Sequence, residues 1–286
     1  MEKEISTILS KALSKDAKVV SPLVGGMMNR SFIVEDNGHK YVLYISTEQA
    51  NEMVDRVVER NNQKIIYELG LTSKNVYFDT DKGIKINEFI EGSSLDKTDS
   101  YDSQKVASLL KKMHQSGHKS EIDYCPFKRF IAYEEEAHQF QSFEKEYDLL
   151  RETLFARKDF LESQPLVLCH NDAQKSNIIK DLNDNYFLID FEFMGNNDPI
   201  YDIATFGNGL VSEGYQLLMD YFVNPNKEEK ERYYLWRIFV SLQWHNVAIT
   251  KHYRGEGKTH GFDFLKVAEF FLNNALDAYQ GLKEVK

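Results

Sequence analysis

Between Leu166 and Asp202 the chain reads LVLCHNDAQKSNIIKDLNDNYFLIDFEFMGNNDPIYD. An apolar run delivers His170, Asn171 and Asp172, and Asn177 follows after four intervening residues. A short Asn- and Asp-rich hairpin comes next, and a second apolar run ends in Asp190, Phe191 and Glu192. Short apolar runs bounded by turn residues read as strands, so two separated acids and an amide are set at strand ends. An ordinary turn rich in Asn and Asp explains one such cluster, but not two at this spacing.

Toward the N-terminus, the pattern over about the first 90 residues is β-rich with two helices. Ile5, Ile8, Leu9, Ala12 and Leu13 recur at helical spacing and predict an amphipathic first helix. From Lys18 the chain turns to strands: KVVSPLV, NRSFIVE and HKYVLYIS. Asn37-Gly38 between the last two predicts a tight primed turn, because both residues tolerate positive φ. Gly25-Gly26 lies between the first two, where its backbone could approach phosphates or simply turn the chain. A helix with Val54, Val57, Val58, Ile65 and Leu69 facing inward should stop at Gly70. Two more strands, NVYF and GIKINEFI, lead into EGSSLDKTDS, a polar stretch that reads as a boundary between a small β-rich part and a larger helical part.

Beyond that boundary the chain is helical on both sides of the central stretch. Val106, Leu109, Leu110 and Met113 mark a helix begun by Asp102 or Ser103. One or two long helices fit Phe127 to Leu161, one fits Ile203 to Asp220, and a capped loop then opens a long helix. That helix carries Leu235, Ile238, Phe239 and Leu242 on one face and Trp236, Val240, Trp244 and Val247 on another, so it is buried on more than one side. Lys plus Arg number 35 against 45 Asp plus Glu, a formal net charge of -10, which argues against a nonspecific nucleic-acid binder and suits a cationic substrate. Cys125 and Cys169 have no metal-ligand spacing. The N-terminus MEKEISTILSKALSKD resembles neither a signal peptide nor a membrane span, so a cytoplasmic protein is expected.

The spacing from Asp172 to Asn177 matches a kinase catalytic loop, in which the Asp accepts a proton and the Asn holds metal. Asp190 then corresponds to the second metal-binding acid. Phosphoryl transfer asks mainly for positioning and charge neutralisation, and this pattern supplies both. GGMMNRSFIV, VDRVVE, ELGL, GIKINEFIEG, CHNDAQKSN and above all LIDFEFMGNNDPIYDIA resemble the choline and ethanolamine kinases, within the aminoglycoside-phosphotransferase-like group. The resemblance implies an α+β, two-lobed protein-kinase-like fold, with a nucleotide-binding lobe over residues 1–91 and a catalytic, acceptor-binding lobe over 92–286. It implies ATP and magnesium as cofactors. Asp172 would be the base, Asn177 and Asp190 the magnesium ligands, and Gln174 a neighbour of metal or phosphates. Glu59 would be the helix acid that orients the ATP-binding strand. Gly25, Gly26 and Asn29 would form the phosphate loop, and Asn87, Glu88, Phe89 and Ile90 the adenine hinge. Glu192 and Asp202 would support the metal loop or border the acceptor pocket, with Trp236 and Trp244 as aromatic cage candidates or core.

Two departures stand out. The family carries Lys or Arg on the third strand, where this chain has Tyr44 in the string Tyr41-Val42-Leu43-Tyr44. Lys40 faces the same side but sits about 13 Å away along the strand, which leaves Arg30, Lys175 or the metal to supply the charge. Val247 also replaces the second Trp of the aromatic pocket, thinning a cage that would hold a quaternary ammonium by cation–π attraction. The expected activity is transfer of the ATP γ-phosphoryl group to the hydroxyl of choline or a related amino alcohol, by a monomer or homodimer. The alternatives are another small alcohol as acceptor (an aminoglycoside, a sugar or an amino alcohol) or a pseudokinase that binds nucleotide without turnover.

Overall fold

The computed structural model describes residues 2–23, 29–257, 261 and 263–285. The chain divides into two compact units. The first comprises residues 1–101, 120–122 and 176–194, and the second 102–119, 123–175 and 195–286. The division differs from a single cut near residue 91, because strands late in the chain complete the first unit.

Five antiparallel strands form the main sheet of the first unit: β1 (Lys18–Leu23), β2 (Asn29–Asp36), β3 (His39–Ser46), β4 (Asn75–Asp79) and β5 (Ile84–Glu88), in the order β1-β2-β3-β5-β4. Asn37 and Gly38 take φ of 48° and 79°, as a primed two-residue turn requires. Side chains alternate across a strand, and the two faces differ in chemistry. On one face Val34, Leu43, Ile84 and Ile86 pack with Ile5 and Leu9 of helix α1 (Glu2–Ala12) into an apolar core. The opposite face carries Asn29, Ser31, Tyr44, Ser46 and Lys85, paired across the ladder as Asn29 with Ser46, Ser31 with Tyr44 and Tyr44 with Lys85.

The helical stretch after β3 splits at Val54 into α2 (Glu48–Met53) and α3 (Arg56–Glu68), with Asp55 capping α3 by accepting from the amides of Val57 and Val58. The inward face of α3 is more polar than its valines predict: Val57 is 45% exposed, while Arg56, Glu59, Asn62 and Gln63 are buried. Three short strands, β6 (Gly92–Ser94), β8 (Ile178–Asp181) and β9 (Tyr186–Leu188), form a second antiparallel sheet of this unit.

In the second unit β7 (Val167–Cys169) pairs with β10 (Gly195–Asn197). Its helices are α4 (Ser103–His114), α5 (Pro126–His138), α6 (Lys145–Phe155), α7 (Lys158–Glu162), α8 (Pro199–Phe206), α9 (Val211–Phe222), α10 (Lys227–Tyr253) and α11 (Phe264–Glu284). The segment expected as one helix from Ile203 to Asp220 is thus two, and residues 127–161 hold three. Phe127 and Phe130 of α5, Tyr201 of α8, and Trp236 and Phe239 of α10 form its aromatic centre. No helix among the described residues is long and apolar enough to cross a membrane.

Candidate active site

In the first unit the polar sheet face and α3 share a buried ion network. A helix advances about 6 Å in four residues and a strand about 6.6 Å in two, so Glu59 and Gln63 can meet Lys85 and Asn87 in turn. Lys85 Nζ pairs with Glu59, and Gln63 Nε2 donates to Asn87 Oδ1 at 2.9 Å. Arg56 Nη1 donates to Glu59 at 2.6 Å and to Glu192 at 2.8 Å. Asn29 Nδ2 also donates to Glu192, at 2.9 Å, and its Oδ1 accepts from Ser46. Lys85 Nζ lies 3.9 Å from Asp190 Oδ1. Three acids (Glu59, Asp190, Glu192) therefore face two cations (Lys85, Arg56).

The electrostatics follow from that count. Burial would lower the pKa of Lys85, but Glu59, Asp190 and Glu192 hold it above its ordinary value. Burial would raise Glu59, yet Lys85 and Arg56 keep it below the usual carboxylate range. Asp190 goes the other way: burial and the neighbouring Glu192 push it up to about 7. Its backbone is left-handed, with φ of 66°, and its Oδ1 is buried without a hydrogen-bond partner. A hard oxygen so placed, in a cluster with an excess of acid, fits a divalent cation of the magnesium type.

In the second unit the HND loop hangs from Asp202. The His170 amide donates to Asp202 Oδ2 at 2.8 Å and the Asn171 amide to Oδ1 at 2.7 Å. His114 Nε2 meets Oδ2 at 2.9 Å, and its Nδ1 meets the Tyr221 hydroxyl at 3.0 Å. Asn171 takes φ of 64°; its side chain donates to the Gly195 carbonyl and accepts from Asn197. The strained loop is thereby fixed, and Asp172 stands half-buried at its tip with Gln174 Nε2 donating to Oδ2 at 3.2 Å.

The string NNDPIYD explains why the clamp is in place. Asp198 caps α8 by accepting from the Ile200 amide, with Pro199 at the first helical position. Arg232 and the Trp236 indole N–H also donate to Asp198, tying α8 to α10. Asp202 comes one turn later and reaches the loop.

A family description of choline/ethanolamine kinases matches residues 20–236, well over half of the chain. The chain belongs to the choline/ethanolamine kinase family. Protein LicA of Haemophilus influenzae is 26% identical over 220 residues, which cover 73% of this chain and 65% of that relative. The choline kinase LicA from Streptococcus pneumoniae has a TM-score of 0.75 at 24% identity, over 99% of each chain. A LicA structure in complex with AMP gives 0.74 at 25% identity, over 99% of this chain and 98% of that one.

Against the family pattern, several expected residues have other surroundings. Asp202 is fully buried and spends both oxygens on the loop, so it does not border an acceptor pocket. Glu192 is buried, with Oε1 accepting from Arg56 and Asn29. Trp236 is 1% exposed with its N–H donated to Asp198, which makes it core. Trp244 is half-buried and stacks on Phe271 at 5.9 Å. Gly25 and Gly26 lie outside the described residues.

At the expected adenine hinge, Asn87 is held by Gln63 and by Asn75. The Glu88 amide donates to the Lys74 carbonyl and the Phe89 amide to the Lys40 carbonyl. Half-buried Ile90 follows. The two cations expected to replace the strand lysine have other surroundings. Lys175 is bound by Glu213 at 2.8 and 2.9 Å, and Arg30, paired with Ile45, lies on the sheet face opposite Tyr44. Lys85 was missed because its partner Glu59 is 26 residues away in sequence; the one signal was a lysine flanked by two isoleucines in GIKINEFI.

Proposed function

We propose that this family member transfers the γ-phosphoryl group of ATP to the hydroxyl of choline or a related amino alcohol. The observation that carries the reading is the Asp202 clamp, which holds two successive loop amides and leaves the Asp172 carboxylate half-buried at the tip. In that role Asp172 accepts the proton of the attacking hydroxyl, and Gln174 orients the carboxylate through its hydrogen bond. Asn177 and Asp190 would hold magnesium. When bound, magnesium neutralises charge on the nucleotide phosphates.

The acceptor class rests on the family and on charge. A quaternary ammonium cannot donate hydrogen bonds and is held by aromatic faces, at about 0.5–2 kcal/mol per ring. Trp244, stacked on Phe271, is the ring assigned to it, and the net charge of -10 favours cations over anions at long range.

A coupled ADP-release assay over choline, ethanolamine, aminoglycosides and sugars tests the reading. Choline or ethanolamine should raise ADP release, and Asp172→Ala should lower turnover by about 10²- to 10⁴-fold, the usual worth of a general base. If no acceptor raises ADP release while MgATP still stabilises the fold, the protein binds nucleotide without transferring phosphate. A response confined to sugars or aminoglycosides would move the acceptor class.

A further inference from the structure

Tyr44 and Lys85 are direct partners in the β3–β5 ladder. Opposed residues on adjacent strands project from the same face, with Cβ atoms about 5 Å apart. Lys85 Nζ lies 5.0 Å from the centroid of the Tyr44 ring, so its ammonium sits beside the space that the side chain of residue 44 fills. The four-carbon stem of a lysine is long enough to cover a lateral step of about 4.8 Å between strands. That ammonium pairs with Glu59 of α3 and lies 3.9 Å from Asp190. Arg56 is held between Glu59 and Glu192, which leaves Lys85 as the cation that meets both the helix acid and Asp190.

We propose that the cation required by the helix acid and the nucleotide phosphates has been transposed from β3 to β5. Lys85 is then the residue that binds the ATP phosphates, and Tyr44 is the ring that walls in its ammonium. The inference rests on the kinase reading above. It explains how the chain keeps its helix acid buried and paired although residue 44 carries no charge, and it locates ATP specificity in a cross-strand pair.

The test compares the wild type, Lys85→Met and the exchange variant Tyr44→Lys/Lys85→Tyr. Calorimetry gives dissociation constants for MgATP and for adenosine, and ADP release with the best acceptor gives turnover. Lys85→Met should weaken MgATP by about 10- to 100-fold, the worth of a charge-assisted hydrogen bond, and leave adenosine nearly unchanged. The exchange variant should recover most of the MgATP preference over adenosine, because it returns the ammonium from the opposed position. Should Lys85→Met not fold, with Glu59 left against Arg56 alone, the exchange variant decides, since it keeps both side chains.

A folded Lys85→Met with an unchanged ratio of MgATP to adenosine affinity overturns the inference and leaves the kinase reading standing. An exchange variant that binds MgATP no better than adenosine also overturns it. A wild type with no affinity for nucleotide overturns both.

Discussion

Asp190 and Glu59 share one ion network and titrate in opposite directions. The Asp190 carboxyl is raised to about 7 by burial and by Glu192, against an ordinary value near 4 in the unfolded chain. The unfolded state therefore releases this proton first. The resulting destabilisation grows as pH rises from about 4 to about 7 and is constant above that. The metal-free protein should lose stability between about pH 4 and about pH 7, and a melting series with Asp190→Asn should lack that slope. At neutral pH the variant should melt several degrees higher, since about 1 kcal/mol already shifts melting by about 2–4 °C at this size, with no turnover. Glu59 is held below the carboxylate range by Lys85 and Arg56, so its contribution is present at neutral pH and is lost only on strong acidification. Glu59→Gln leaves two buried cations short of an anion and should cost about 3–5 kcal/mol, measured by denaturant unfolding. Trp244→Ala should raise the KM for choline several-fold with little change in kcat, as loss of about 0.5–2 kcal/mol of cation–π attraction dictates; an unchanged KM would remove it from the acceptor site.

Among the elements, α10 shows best what periodicity reveals and what it leaves open. Its start was legible: Asn226 and Glu229 form a reciprocal capping box, and Asn226→Ala should lower stability by about 0.5–2 kcal/mol while turnover is retained. Its two apolar faces were legible as well. Which tryptophan is core was not, because Trp236 and Trp244 are alike in sequence and differ only in what packs on them. Asp198 and the aromatic centre take Trp236, and Phe271 of α11 takes one side of Trp244. Gly281 of α11 packs so closely on α10 that a Cβ there would overlap the Tyr234 ring. Gly281→Ala should destabilise by about 1–3 kcal/mol, the usual effect of overpacking, in thermal melts.

For the whole molecule, the unit boundaries carry the consequence. Residues 176–194 belong to the first unit, where the Leu188 amide donates to the Leu71 carbonyl, Gly92 to Ser94 pair with Ile179 to Asp181, and Glu192 holds Arg56. A fragment of residues 1–101 loses all of these and leaves Arg56 with one acid in place of two. It should fail to fold cooperatively, as read by far-UV circular dichroism and urea titration, although the five-stranded sheet lies wholly within it.

The sequence by itself determined the five strands of the main sheet, the Asn37-Gly38 turn, and the placing of Asp172 and Asp190 just after short apolar strands. Each is written in local spacing: period, turn chemistry, or residues a few positions apart. Only the tertiary structure decided that the buried face of α3 is ionic, that Asp202 and Glu192 are internal supports, and that Lys85 stands opposite Tyr44. These depend on strand register and on which helix face meets the sheet, and both bring together residues tens of positions apart. A lysine between two isoleucines reads as the exposed side of a strand until α3 covers that side with Glu59.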